Sequence, residues 1–273
     1  MKFIHTADIH LGAEPDAGSS YTAKRPEELW NSFERLLNIC EEEQTDLLLI
    51  AGDLFHRQPL LRELKELDYL FSRLTHTQVV LMAGNHDYLK STSYYRNYKW
   101  QGPVHMFLSQ KPACMEFKEL GVRIYGLSYE EREITEPLYE KILPEKRGIA
   151  SILLAHGGDE KHIPFRKNEL LKLGYDYIAL GHIHLPAELA KDRMYYAGSL
   201  EPTDKNDGHL RRQRHHERVQ QVHELPGRLL PDHSGLGNCP YRMVEHAAAC
   251  GHRRGRRDCC CHLRGERQRC RSR

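Results

Sequence analysis

The chain has 273 residues and a formal net charge of +2, enough for one large domain or for a domain with a small appendage. Its near-neutral balance gives no bulk electrostatic reason to bind nucleic acid. No run of roughly eighteen apolar residues occurs, so no membrane span is expected, and the start of the chain enters a strand without a signal segment, which makes the cytoplasm the expected location.

Residues 2–8 (Lys-Phe-Ile-His-Thr-Ala-Asp) read as a first strand. Residues 11–23 hold Gly, Pro, Asp and Ser and read as a loop over a site. Pro26 opens a helix, because its ring suits the first turn, and Glu27 and Glu28 complement the positive helix end. Leu29, Phe33, Leu36, Leu37 and Cys40 give that helix one apolar face. Residues 46–51 form a continuous apolar strand of the kind buried on both faces. A second helix is expected over about residues 60–75 and a third strand over 78–83. Strand and helix alternate, which argues for α/β layers. Further strands are expected near 104–108, 122–127, 150–155, 176–180 and 194–197, with fewer helices between them. That thinning favours an α/β fold in four layers, an α/β/β/α sandwich, over a doubly wound sheet.

The composition changes near residue 207. Residues 208–273 contain no Lys, Ile or Phe, but hold 15 Arg and six of the eight Cys. Such a segment cannot bury much surface, so residues 1–207 are expected to form the domain and 208–273 a disordered tail. Three readings of the tail compete. A zinc module needs paired Cys-x2-Cys spacing, which Cys239, Cys250, Cys259, Cys260, Cys261 and Cys270 do not supply. A basic arm for nucleic acid finds support in Arg253-Arg254-Gly255-Arg256-Arg257. Translation out of frame in a GC-rich gene accounts best for the joint loss of Lys and Ile and gain of Arg, Cys and His.

Five motifs carry the chemistry: Asp8-Ile9-His10, Gly52-Asp53, Gly84-Asn85-His86-Asp87, His156-Gly157-Gly158 and Gly181-His182-Ile183-His184. Each follows an apolar run that reads as a buried strand. Oxygen and imidazole donors at strand ends suit two divalent ions beside a phosphate. Asp8 and His10, two apart in an extended segment, leave the same face, as do His182 and His184. The carboxylate of Asp53 has two oxygens and can bridge. One arrangement gives the first ion Asp8, His10, Asp53 and His184, and the second ion Asp53, Asn85, His156 and His182. Two such ions about 3.5–4 Å apart lower the pKa of a shared water, so that hydroxide is available near neutral pH, and clamp the phosphate oxygens. His86 is spare as a ligand and can pass a proton to the phosphate or leaving oxygen, with Asp87 orienting it. His56 is a candidate contact to substrate. Arg57 and Lys90 are candidate phosphate contacts. Singly, each motif has a bland reading as a turn or a strand-end histidine; together, in order and each after a strand, they do not. His5, His76, His105 and His162 lack that setting and read as structural or surface residues.

This set resembles the calcineurin-like metallophosphoesterase superfamily, whose motifs are Asp-x-His, Gly-Asp, Gly-Asn-His-Asp/Glu, a Gly-His or Ala-His after a strand, and Gly-His-x-His. Within it, residues 5–12 (His-Thr-Ala-Asp-Ile-His-Leu-Gly), 52–56 (Gly-Asp-Leu-Phe-His) and 196–202 (Tyr-Ala-Gly-Ser-Leu-Glu-Pro) resemble the SbcD-type DNA repair exonucleases. The resemblance covers about residues 1–207. It implies a manganese-dependent phosphodiesterase acting on DNA as exonuclease and as endonuclease, in double-strand-break repair. It also implies a homodimer and a coiled-coil ATPase partner of the SMC-like, SbcC type. Two other readings stay open at this stage. One is a phosphoesterase for a small nucleotide or a phosphomonoester. The other, of a different class, is a non-catalytic subunit that binds DNA ends, or an inactive truncated product.

Overall fold

The computed structural model describes residues 1–15, 23–145, 148–203 and 222–225, all within one compact unit, Met1–Met243. Two sheets form its centre. The first has the order β11-β1-β2-β3-β4, with β1 Lys2–Thr6, β2 Leu47–Ala51, β3 Gln78–Met82, β4 Val104–Met106 and β11 Val222–Glu224. The second has the order β5-β6-β7-β8-β10-β9, with β5 Ala113–Phe117, β6 Val122–Gly126, β7 Ala150–His156, β8 Tyr177–Gly181, β9 Ala187–Ala190 and β10 Met194–Tyr196. Strands β1 to β4 run parallel, as do β6, β7 and β8.

The alternation of side chains along each strand distributes the apolar residues into three layers of core. Ile4, Leu48, Ile50, Val79 and Leu81 face helices α1 (Arg25–Glu42) and α2 (Leu61–Phe71), meeting Leu29, Phe33, Leu64 and Leu67. Their neighbours Phe3, Leu47, Leu49, Val80 and Met82 face the second sheet, meeting Val122, Ile124, Ile152, Leu154 and Ala179. The outer face of the second sheet presents Tyr125, Leu153, Ala155, Ile178 and Leu180 to Tyr139, Ile142 and Leu170. There the cover is thin, a 3-10 turn at Leu138–Lys141 and helix α3, Lys167–Leu173. The layer order is α/β/β/α, as expected, with two apolar strand faces per sheet explaining the uninterrupted run at 47–51.

Helix α1 buries Leu29, Phe33, Leu36, Leu37 and Cys40, with Pro26 in its first turn. Helix α2 is shorter than the expected 60–75, ending at Phe71. Its carboxylate Asp68 lies on the buried face because it accepts from the amides of Gln101 and Gly102 and from the Tyr98 hydroxyl. Strands β5 and β9 were not expected. Neither Ala-Cys-Met-Glu-Phe nor Ala-Glu-Leu-Ala alternates cleanly, and pairing with β6 and β10 rather than local propensity makes them strands.

The boundary at 207 and the three readings of the tail lie outside the described residues, apart from 222–225. There the expectation of a structureless tail is corrected: β11 pairs antiparallel with β1, Ile4 opposite Val222, and covers the edge that β1 would otherwise leave open. Of the expected loop at 11–23, residues 16–22 also lie outside the described residues. No helix among the described residues is long and apolar enough to cross a membrane.

Candidate metal centre

The five motifs meet where the two sheets present the C-terminal ends of their parallel strands. Asp8 and His10 follow β1, Asp53 follows β2, Asn85 follows β3, His156 ends β7, and His182 and His184 follow β8. Among the bonds that join the sheets there, His182 N donates to Asp8 Oδ2 (2.8 Å), and His156 Nδ1 donates to the carbonyl of Ala51 (2.8 Å). Asp8, His10, Asp53 and His182 all adopt positive φ, at 50°, 51°, 51° and 92°. Such backbone is strained for residues with a Cβ, and strain of this kind gathers at functional sites.

Two sets of donor atoms result. In the first, His10 Nε2 lies 3.1 Å from His184 Nε2, and His184 Nε2 lies 4.0 Å from Asp8 Oδ1. In the second, His156 Nε2 and His182 Nδ1 lie 2.9 and 3.2 Å from Asn85 Oδ1. Asp53 stands between the sets, its Oδ2 3.4 Å from His156 Nε2 and 4.0 Å from His10 Nε2. Its two oxygens are not equivalent, because Oδ1 already accepts from the His86 amide at 2.9 Å. Among the described residues Oδ2 accepts from no amide, and it would be the oxygen that faces an ion.

These residues fit divalent ions on three grounds. Asp8 Oδ1 is buried and has no hydrogen-bond partner, which is costly for a carboxylate unless a cation faces it. With Nδ1 of His156 donating to Ala51, its Nε2 faces two oxygen acceptors, Asn85 Oδ1 and Asp53 Oδ2, an arrangement that calls for a proton or a metal ion on Nε2. Neutral histidines are prevalent among the donors: burial drives His10 down to about 3, and burial with His156 drives His182 down to about 4. Burial likewise raises Asp8 to about 6. Burial opposes a charge on Asp53 too, but His156, His10 and His86 outweigh it and hold that carboxyl well below its usual range. In His156, burial is overcome by Asp53 and Asp8, which raise it to about 9. The positive charge that these carboxylates draw onto His156 is the charge a metal ion would bring.

The outer partners of the imidazoles were not legible in the sequence. Thr203 Oγ1 stands 3.2 Å from His184 Nδ1, and Ser199 N donates to the His184 carbonyl at 3.0 Å. Tyr129 and Tyr139 donate to the His156 carbonyl, Tyr139 also accepts from the His156 amide, and Tyr196 donates to the carbonyl of Gly157. Only Tyr196 and Ser199 lay in a stretch that the motif pattern marked; the other tyrosines carry no spacing signal.

Seven expected ligands thus converge, and His86 and His56 lie at their open side, with rings 4.9 and 5.3 Å from His10. Asp87 does not orient His86. It is buried, its Oδ1 accepts from Gly84 N (2.8 Å), and its Oδ2 accepts from Phe55 N (3.2 Å) and Tyr95 Oη (3.0 Å). His86 Nδ1 donates to the His56 carbonyl instead, at 3.0 Å. Asp87 braces the loop because burial leaves it no other role for two carboxylate oxygens facing three donors. Arg57 pairs with Glu63 at 2.6 Å, so its charge is already matched, whereas Lys90 is exposed. His5 sits in the core between the sheets beside Tyr177, as a structural residue. His162 is not a bystander: it joins His182 through Asp159.

Comparison with known proteins agrees with this geometry. The family described as calcineurin-like phosphoesterase matches residues 1–186. The chain is 33% identical over 203 residues to the uncharacterized metallophosphoesterase YhaO of Bacillus subtilis, covering 67% of this chain and 48% of that protein. It is 28% identical over 242 residues to the DNA double-strand break repair protein Mre11 of Methanopyrus kandleri, covering 78% and 52%. To the protein of the same name from Archaeoglobus fulgidus it is 29% identical over 234 residues, covering 75% and 51%. The chain spans about half the length of these relatives.

Proposed function

The chain belongs to the calcineurin-like phosphoesterase family, and from that premise we propose that it is a two-metal DNA phosphodiesterase that degrades DNA ends in double-strand-break repair. Hydrolysis of phosphate esters with divalent ions goes with the family. DNA as substrate is supported by the SbcD-like stretches at 5–12, 52–56 and 196–202, and by the two archaeal relatives, each a DNA double-strand break repair protein. The observation that carries the reading is that two donor sets, His10 with His184 and Asp8, and His156 and His182 with Asn85, flank one buried carboxylate, Asp53, which faces both His10 and His156.

When bound, a pair of divalent ions, manganese in this reading, supplies an activated water and a clamp on the phosphate oxygens. The chain's own residues hold and aim the reaction. Asp8, His10, Asp53 and His184 form one donor set, and Asp53, Asn85, His156 and His182 the other. Burial of Asp8, His10, Asp53, Asn85 and His156 excludes bulk water from the floor of the site and strengthens every electrostatic contact there. With Nδ1 of His86 donating to the His56 carbonyl, Nε2 is the nitrogen left for the substrate; in the imidazolium form it carries the second N–H, gives that proton to the leaving oxygen and is left with a lone pair. His56, exposed at the rim, contacts the substrate. The proposed phosphoesterase domain is residues 1–207, with the strand Val222–Glu224 added to the edge of its first sheet. A second copy of this chain and an SMC-like coiled-coil ATPase of the SbcC type are the proposed partners, by resemblance.

Linear duplex DNA and Mn²⁺, with an EDTA control and a His86→Ala variant, test the proposal. The chain is expected to degrade DNA in Mn²⁺ and not in EDTA. His86→Ala is expected to lose about 10²–10⁴-fold in rate while binding Mn²⁺ as before. Hydrolysis of a small phosphodiester with DNA left intact would refute the DNA reading and favour a small nucleotide substrate.

A further inference from the structure

His182 uses both of its ring nitrogens. Nδ1 faces Asn85 Oδ1 inside the centre at 3.2 Å, and Nε2 faces Asp159 Oδ2 at 2.7 Å. Asp159 is itself held in place from the other side. Its Oδ1 accepts from the amides of Lys161 (2.8 Å) and His162 (2.9 Å), and from His162 Nδ1 (2.8 Å). His162 Nδ1 also lies 2.9 Å from Oδ2, so that oxygen faces both His162 and His182. The rings of His162 and His182 lie 4.4 Å apart, and the turn that carries Asp159 and His162 is closed by Gly158 N donating to the His162 carbonyl at 2.7 Å.

We infer that Asp159 is a positioning residue for the second metal ion, acting through His182, with His162 as its support. This rests on the metal-centre reading given above. A neutral imidazole carries one N–H, and the partner of one nitrogen decides what the other offers. An ionised carboxylate accepts and cannot donate, so it places the proton on Nε2 and leaves the Nδ1 lone pair for the ion. It also fixes the ring plane and raises the basicity of Nδ1, as outer carboxylates do for metal-bound histidines. The Asp159 side chain is 46% exposed, so its pairing with His182 contributes little to stability. Its effect falls on the geometry of the second ion.

The test is Mn²⁺ binding by the full chain, followed by calorimetry and by electron paramagnetic resonance. The wild type is expected to take up two ions and to show the spectrum of a coupled pair. Asp159→Ala is expected to weaken one of the two binding events by about 10–100-fold and leave the other unchanged. At limiting Mn²⁺ that variant then shows the six-line signal of a single ion. Asp159→Asn, which keeps the shape and an oxygen acceptor but not the charge, is expected to fall between. The unfolding midpoint of the metal-free chain is expected to be the same in all three, which separates positioning from folding. Two wild-type binding events in Asp159→Ala would overturn the inference and leave the metal-centre reading standing. Three ions per wild-type chain would also overturn it, since Asp159 would then be a ligand. A wild type that binds no Mn²⁺ would overturn the metal-centre reading itself.

Discussion

Replacing Gly84 by Ala should weaken metal binding and slow hydrolysis through a single methyl group. A Cβ at this position would stand 2.2 Å from Asp53 Oδ1, 2.7 Å from Asp53 N and 2.8 Å from His156 Nε2. The first contact is roughly 0.8 Å inside the 3.0 Å below which real Cβ atoms essentially never come. Asp53 cannot swing away freely, because Oδ1 is tied to the His86 amide at 2.9 Å and Oδ2 faces His156 at 3.4 Å. Relief therefore displaces the carboxylate shared by both donor sets by close to 1 Å. A misplacement of that size costs about 100-fold in rate, or about 2.7 kcal/mol, and overpacking adds about 1–3 kcal/mol of lost stability. The assay is Mn²⁺ calorimetry with urea unfolding of the metal-free chain, set beside phosphodiesterase rates. A Gly84→Ala chain that binds two Mn²⁺ with wild-type affinity would refute the reasoning, because it would mean that Asp53 is not confined as the structure has it.

Three further outcomes are expected. Asp87→Ala deprives Gly84 N, Phe55 N and Tyr95 Oη of their acceptor and should lower stability by about 3–5 kcal/mol; an unchanged urea midpoint with reduced activity would instead restore Asp87 as an orienter of His86. Tyr139→Phe leaves the buried His156 amide without its acceptor and should cost about 1–3 kcal/mol, read by thermal unfolding, with wild-type stability counting against the tyrosine clamp. Burial, with His223 second, lowers His5 from 6.5 to about 3. The unfolded chain takes up that proton below its own pKa and the folded chain does not, so stability is full above pH 6.5 and falls as the pH drops through the window between the two values. At about 1.36 kcal/mol per unit the loss at about pH 4.5 approaches 3 kcal/mol, and His5→Phe should remove that part of the slope in urea unfolding; equal slopes would sink the attribution.

The legibility of the fold followed from how strongly each element declared itself. Strands β1, β2, β3, β7 and β8 are apolar runs buried on both faces, and helix α1 repeats its apolar residues at helical spacing. Strands β5 and β9 depend on partners distant in the chain, and β11 depends on the edge of β1. Local composition holds no trace of those pairings.

The same division runs through the centre. Its donors were readable because metal ligation demands particular residue types, and strand ends place them at short fixed spacings: Asp8 with His10, His182 with His184, and Asn85 after Gly84. What each donor does with its second atom was decided only in three dimensions. Asp53 Oδ1 goes to an amide 33 residues away. Asp87 turns from His86 to a tyrosine and two amides. His182 finds Asp159, on the turn after β7, a residue that no motif marked. An acceptor or a donor can be any residue whose backbone or side chain arrives at about 3 Å, so these partners leave no pattern along the chain. The sequence by itself determined which atoms can hold ions; the packing of one sheet on the other decided how those atoms are aimed.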